Sequence, residues 1–348
     1  MSDTSRSRLH DNRYARQQII PSIGDAGQER LANARIAILG VGALGTHIAD
    51  TLARAGVGSI RLIDRDVPEL SNLQRQVLFD TDDVYNGIPK AAAAADRLAR
   101  VNPDIRIETE IADINPTNVE RLIEGVDLIL DGSDNFELRY LLNDAAVKHR
   151  TPWIYGGAIS THGMTMTIRP EATPCLRCVF PDSPAPGDAL TCDTAGVLSP
   201  AVAMVAAVQS TEAIKYLTGN LDALHGSLVM IDVWSLHMRS VELGHPEPEC
   251  PACGARSFEF LDRQAPRQTT ELCGSDSVQV LVHPAPQLSL DSLAKRLAAV
   301  GEVSHNPYLL RFQVNGYQMT VFPDGRAIVK GTTDSAEART LYARYVGM

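Results

Sequence analysis

Along the first half of the chain, short apolar runs and amphipathic stretches take turns with little interruption. Residues 34–40 (ARIAILG), 59–64 (SIRLID), 126–131 (VDLILD) and 152–158 (PWIYGGA) are compact apolar runs that predict strands, and 106–111 (RIETEI) joins them. Between them, 43–56 (ALGTHIADTLARAG), the alanine-rich stretch opening at Lys90, 116–125 (PTNVERLIEG) and 135–149 (NFELRYLLNDAAVKH) have the make-up of helices. Strands alternating with helices predict a parallel, doubly wound sheet, and nearly continuous apolar strands suit a sheet covered on both faces. The rhythm then changes. Residues 163–170 (GMTMTIRP) and 227–243 (SLVMIDVWSLHMRSVEL) read as antiparallel strands around a helix that begins near Ser199. That helix is the most apolar stretch of all, but Gln209, Glu212 and Lys215 interrupt it, so it predicts a buried helix rather than a membrane span. After Arg263 the polar QAPRQTTE reads as a linker, followed by a small βαβββα-like unit whose alternating strands predict one wet face. No residue cluster in that last unit suggests chemistry.

The first of the strand ends carries a motif. Gly40-Val-Gly42-Ala-Leu-Gly45 is G-x-G-x-x-G placed directly after a strand and opening a helix. Its glycines permit a tight turn and close approach of a phosphate to backbone, at a helix end that favours anions. Asp64 ends the next strand, where an acid can accept bonds from ribose hydroxyls. The motif alone does not separate NAD from ATP, and no G-x-x-x-x-G-K-[ST] occurs. The polar run DRDVPELSNLQRQVLF (64–79) and the lysine of Ile88-Pro89-Lys90 add more. A dehydrogenase needs no such cluster, whereas a triphosphate under attack needs arginine and lysine close by. Asn72, Gln74, Arg75 and Lys90 would be those donors; the bland alternative is a solvated loop. Asp131-Gly-Ser-Asp134-Asn135 closes another apolar strand, so Asp134 is placed to hold Mg²⁺, unless it merely caps the next helix. The predicted fold class is thus α/β: a Rossmann-like, doubly wound, mainly parallel sheet with an antiparallel extension over residues 1–262, and a small α+β domain of unassigned role over 263–348.

Six cysteines ask about compartment and metal. The polar, arginine-bearing start has no apolar core region and predicts no signal peptide, hence a cytoplasmic, reducing location. Cys175-Leu-Arg-Cys178 and Cys250-Pro-Ala-Cys253 are paired C-x-x-C knuckles that match a closed, structural four-thiolate zinc site, with disulfides or an iron–sulfur cluster as alternatives. Cys192, in the loop TCDTAGV, is either an accessible nucleophile or an inert thiol, and Cys273 reads as packing.

Charge narrows the partners. Hydrophobic residues at 44% allow a sizeable core, while a net charge of −10 with 5% aromatics and no basic run lacks the footprint of a nucleic-acid binder. An anionic ligand must then be held by a few local cations.

Taken in order, Arg13-Tyr14-Ala-Arg16-Gln17, the GVGALG turn, SNLQRQ, the lysine of IPK, DGSDN, the two C-x-x-C pairs and TCDTAGV make residues 10–255 resemble the ThiF/MoeB family, bacterial relatives of ubiquitin-activating enzymes. The resemblance implies ATP-dependent adenylylation of the C-terminal glycine carboxylate of a ubiquitin-like sulfur carrier ending in Gly-Gly, of thiazole (ThiS-like) or molybdopterin (MoaD-like) type, with release of pyrophosphate. It implies further that Gly40, Gly42 and Gly45 lie under the nucleotide and that Asp64 binds the ribose. Asn72, Gln74, Arg75 and Lys90 would contact phosphates, Asp134 would hold Mg²⁺ beside Asn135, and Arg16 would reach the nucleotide of a second subunit in a homodimer. Cys192 matches a loop cysteine that in some members forms a sulfur link to the carrier, with a desulfurase as sulfur donor. Ala43 stands where a glycine is frequent, leaving the three motif glycines intact. Two other readings are an NAD-dependent oxidoreductase, which leaves SNLQRQ, Lys90 and Asp134 unexplained, and an inactive zinc-stapled scaffold, which the full set of polar residues opposes.

Overall fold

The computed structural model describes residues 13–183, 192–263, 269–271, 276–282 and 287–347. They form two compact units, residues 1–263 and 264–348.

The first unit is built on an eight-stranded sheet in the order β3-β2-β1-β4-β5-β6-β7-β8. Strands β1 (Arg35–Leu39), β2 (Ser59–Ile63), β3 (Arg106–Glu110), β4 (Leu128–Asp131) and β5 (Trp153–Ile159) run parallel. Then β6 (His162–Ile168), β7 (Ser227–Asp232) and β8 (His237–Glu242) follow antiparallel, as the change in rhythm predicts. Alternate residues of β1 go to opposite faces: Ile36 and Ile38 join one apolar core, Ala37 and Leu39 the other. That two-sided burial is why the strand reads as one continuous apolar run. The helix Ser199–Leu217 packs Val202, Val205, Ala206 and Ala213 into the first of these cores, against Ile48 and Leu52 of the helix Ala43–Ala55. Among the described residues no helix is long and apolar enough to cross a membrane.

Strand β1 sits between β2 and β4, so the chain winds one way from β1 and then returns to wind the other way. Loops leaving the carboxyl ends of β1 and β4 diverge there and open the crevice in which such sheets bind ligands. Local sequence chemistry shortens one element: residues 116–125 give a single turn, Val119–Leu122. Asn118 accepts from the Asn115 amide and Asn115 from the Thr117 amide, so side chains take the bonds that would lengthen the helix.

The second unit has strands β9 (Thr269–Glu271), β10 (Ser277–Val280), β11 (Glu302–His305), β12 (Leu310–Val314), β13 (Tyr317–Val321) and β14 (Ala327–Lys330), forming an antiparallel sheet in the order β11-β12-β13-β14-β10-β9, with helices Leu290–Leu297 and Ser335–Tyr345. Val278, Leu293, Phe312, Met319, Val329 and Tyr342 share its core. Two of its strands, β9 (Thr269–Glu271) and β11 (Glu302–His305), are additions to the βαβββα pattern. Both are edges of polar sequence, and Val303 of β11 packs against the core.

Candidate functional site

The glycine turn is defined by backbone packing. Gly40 has φ +90°, and a Cβ there would lie 2.8 Å from the Gly132 carbonyl, so β1 and β4 ends meet without side chains between them. A Cβ on Gly45 would overlap the Gly40 carbonyl oxygen, whereas one on Gly42 would find nothing nearer than 3.9 Å. Gly42 caps the helix Ala43–Ala55 without any side-chain hydrogen bond, so the first amides of that helix have no intrahelical partner.

Asp64 closes the turn from below. One carboxylate oxygen accepts the Val41 N–H and the other the Asp66 N–H, each at 2.7 Å, and the side chain is buried. Burial lifts its carboxyl above the usual range against the opposing pull of Lys90. Lys90 begins the helix Lys90–Val101, buried, with its backbone N–H on the Asp66 carbonyl and its Nζ 3.9 Å from the Asp66 carboxylate. Burial alone would lower this lysine, but Asp64, Asp66, Asp134 and Glu69 together raise it. One ammonium therefore stands in the field of four carboxylates drawn from β2, its following loop and the end of β4.

The remaining predicted residues divide. Arg75 donates to the Ser71 carbonyl at 2.8 Å and is half-buried, and Gln74 is exposed. The Asn72 oxygen accepts the Glu69 N–H at 3.1 Å in a reciprocal cap of the turn Leu70–Asn72. Asn135, rather than Asp134, caps the helix Phe136–His149, accepting from the amides of Glu137 and Leu138. Asp134 is left exposed and uncommitted to capping, within electrostatic reach of Lys90.

Arg16 lies elsewhere. Its one-turn helix Ala15–Gln18 is fastened by Gln17 to the Ala55 carbonyl at 2.9 Å and by Tyr14 against Gly56. Those are the carboxyl end of the helix Ala43–Ala55, whose 13 residues span about 20 Å from the glycine turn. Cys192 opens the one-turn helix Cys192–Ala195, its side chain outside the described residues. Immediately after it, Ser160 and 196–198 exchange backbone bonds, tying this segment to the end of β5. Cys273 lies outside the described residues.

The four knuckle cysteines converge. Their sulfurs all lie within 4.8 Å of one another, with Cys175–Cys250 at 3.6 Å, Cys175–Cys178 at 3.9 Å and Cys178–Cys253 at 3.3 Å. All four are free thiols, since a disulfide needs about 2.05 Å, and the space suits one ion rather than a multi-iron cluster. Hydrogen bonding between Cys175 and Cys178 pulls the Cys178 thiol down to about 4 and pushes that of Cys175 far up, and burial lifts Cys253 to about 12. A bound metal ion is what would hold such thiols ionised together.

Several residues of the site were silent in the sequence: Asp66 and Glu69 facing Lys90, the buried Gln76 beside Gly42, and Arg139 and Gln209 behind the 131–135 turn. An arginine among the apolar residues of LRYLL is a signal that could have suggested a buried charge, though not its partners.

Comparison with known proteins agrees with this arrangement. The sequence pattern of the ThiF family matches residues 14–252. A sulfur carrier protein ThiS adenylyltransferase of Bacillus subtilis is 42% identical over 339 residues, covering 96% of this chain and 99% of that protein. A SAMP-activating enzyme E1 of Haloferax volcanii is 40% identical over 251 residues, 72% of this chain and 92% of its own. Among solved structures, that of E. coli MccB with ATP superimposes with a TM-score of 0.62 at 27% identity, covering 71% of this chain and 75% of that one.

Proposed function

The chain belongs to the ThiF family, and from that premise we propose that it adenylylates the C-terminal glycine carboxylate of a ubiquitin-like sulfur carrier, using ATP and releasing pyrophosphate. The observation that carries this reading is Lys90 among Asp64, Asp66, Asp134 and Glu69 beside an open glycine turn. Arg65 shares Asp64 and Asp66 with this ammonium and Arg139 shares Asp134, so the acids are partly balanced from within, and a triphosphate is best accommodated here together with a divalent cation. Oxygen donors and an exposed Asp134 fit Mg²⁺, which would neutralise charge on the departing pyrophosphate. A nicotinamide cofactor would need none of this, and an inactive scaffold would have no reason to keep it.

No general base is required. The carrier's carboxylate is ionised at pH 7 and is its own nucleophile. Its oxygen forms a bond to the α-phosphorus as the bond from that phosphorus to the bridging oxygen breaks, and pyrophosphate leaves with the electron pair. The difficulty lies in bringing two anions into line. Gly42 and the helix amides behind it would lie under the phosphates, Asp64 would take the ribose, and Arg75 and Lys90 would disperse the charge that develops. Asn72, Gln74 and Asn135 would add contacts to the nucleotide, and the caps that Asn72 and Asn135 make through their side-chain oxygens also hold their loops in shape. Arg16, about a helix length from its own turn, would serve the site of a second copy, which makes a homodimer the working unit.

The four cysteines suit structural zinc. Tetrahedral bonds of about 2.3 Å place sulfurs about 3.8 Å apart, close to the spacings of 3.3 to 3.9 Å found here. With every position filled by sulfur, the ion has no place for substrate. A cytoplasmic location and a sulfur-donating desulfurase fit the same reading, with Cys192 as the residue that would receive sulfur after adenylylation. The experiment that tests the proposal is incubation with ATP and carriers of ThiS and MoaD type, followed by mass measurement of the carrier. A gain of one AMP supports it; an unmodified carrier of both types, with no carrier-dependent pyrophosphate exchange, overturns it.

A further inference from the structure

Behind the 131–135 turn lies an ion pair that the reaction as written does not use. Asp131 ends β4 out of contact with water, and Arg139 is buried in the helix that follows. Arg139 Nε donates to Asp131 Oδ2 at 3.0 Å, and its Nη2 donates to the carbonyls of Ser133 at 2.8 Å and Gly156 at 2.9 Å. The other Asp131 oxygen accepts from the Ser133 amide and hydroxyl at 2.9 and 2.6 Å. The guanidinium lies over the rings of Phe136 and Tyr155, at 5.2 and 5.3 Å. From the long helix, Gln209 donates to the Asp131 carbonyl at 2.9 Å, and its amide fills the place where Gly156 would carry a side chain.

A buried charge pair is poor evidence of stabilisation, because apolar residues of similar volume fill such a joint at least as well. What apolar residues do not do is grip backbone. Here both the N–H and the C=O of Ser133 are held, one by Asp131 and one by Arg139, and Ser133 directly precedes Asp134. Asp134 itself is exposed and feels the charges of Lys90 and Arg139. Its direction is therefore set from behind, by the residue before it. The bond to Gly156 links the same turn to the middle of β5.

We propose that Arg139 is the positioning residue for Asp134: clamped between Asp131, Ser133 and Gly156, it holds the turn so that the Asp134 carboxylate meets the cation that accompanies the nucleotide. Arg139 touches no reacting atom. The inference rests on the ATP-dependent reading above. Mg²⁺ demands near-ideal octahedral geometry, so a carboxylate displaced by a fraction of an ångström binds it less well. Residues that orient metal-binding groups typically change metal affinity by roughly 10–100-fold when replaced.

The test uses the full chain with Arg139→Lys, which keeps the charge but offers no fork, and the double variant Asp131→Asn, Arg139→Gln, which removes both charges and so leaves none orphaned. Two readouts are taken: Mn²⁺ affinity in the presence of a non-hydrolysable ATP analogue, by electron paramagnetic resonance, and the Mg²⁺ dependence of pyrophosphate exchange with carrier. Expected is a rise of about tenfold or more in half-saturating metal for both variants, with much of the exchange rate restored by excess Mg²⁺. Asp134→Asn added to Arg139→Lys should then cost little more than Asp134→Asn alone. Metal half-saturation equal to wild type in a folded variant overturns the inference, whatever happens to the rate. If the wild-type protein shows no carrier-dependent exchange, the proposed function fails instead, and the Mn²⁺ titration still reads the turn on its own.

Discussion

Gly45 packs so tightly against Gly40 that a single added methyl would overlap the Gly40 carbonyl, while a methyl on Gly42, between them in sequence, would meet only ordinary contacts with Gln76 and the Gly132 carbonyl at 3.9 Å. The two positions should therefore fail differently. Gly45→Ala should lower stability by about 2–3 kcal/mol, the usual cost of forcing atoms into a packed site, as read by urea denaturation. Gly42→Ala should unfold like wild type yet bind ATP more weakly by about 1.4 kcal/mol or more, a tenfold change in affinity, because its methyl stands where phosphates approach. Equal losses of stability in both would contradict the assignment of the turn.

Removing the charges that disperse the developing negative charge should strike the chemical step. Asp134→Ala or Arg75→Ala should each cost ~100-fold or more in carrier-dependent pyrophosphate exchange. Near wild-type exchange in either would sink that residue's role.

The distance of Arg16 from its own glycine turn makes a mixing experiment decisive. Arg16→Ala and Lys90→Ala should each be nearly inactive alone. Mixed and allowed to exchange subunits, they should regain roughly a quarter of wild-type activity, from one complete site in the half of dimers that are mixed. No recovery after demonstrated exchange would place Arg16 outside the shared site.

The thiol cluster predicts one zinc per chain by elemental analysis. Cys250→Ser or a strong chelator should remove the ion and lower the melting temperature by several degrees, about 2–4 °C per kcal/mol lost for a unit of this size. Exchange measured in the cold should persist, since no coordination position is open to substrate. A metal-free protein with unchanged melting would reject the site.

Asp144 gives a pH signature. It is buried, accepts the Phe260 amide at 2.9 Å, and burial pushes its carboxyl up to about 6. The folded state thus holds this proton more firmly than the unfolded chain, whose carboxyl titrates near the usual value. Its cost to stability is absent below about pH 4, grows as pH rises through 6, and is complete above. Asp144→Asn should accordingly be more stable than wild type at pH 8, by about 1–2 kcal/mol after allowance for screening, and should match it near pH 4. A difference independent of pH would refute the shift.

Much of this was legible in the chain because burial on both sheet faces leaves continuous apolar runs, as in Ile36 to Leu39, and because the glycines of the turn and the few cysteines stand at telling spacings. What stayed hidden has physical causes. Asp134 and Asn135 both look like caps, and a shift of one residue in the helix start, invisible in sequence, decides that Asn135 takes the amides. Asn72 also closes a turn with Glu69, a loop-holding role that the sequence does not display. The edge strand Glu302–His305 carries too few apolar residues to show a period. Arg139 and Gln209 act on backbone groups brought near only by the fold, which no local pattern records.

Cys175 and Cys250 are 75 positions apart, and everything from the knuckle after β6 to the end of the β7–β8 hairpin, the Cys192 segment and the long helix included, runs between them. A metal joining those ends makes this part of the chain a ring. Cross-linking a ring of that length removes about 4 kcal/mol of freedom from the unfolded chain, comparable to a disulfide. Unlike a disulfide it survives a reducing environment and opens without electron transfer, by release of an ion as the thiolates take up protons. With an ion in place, the segment between these cysteines would be closed by a clasp that acid undoes and neutral pH refastens, and that thiol reductants leave intact.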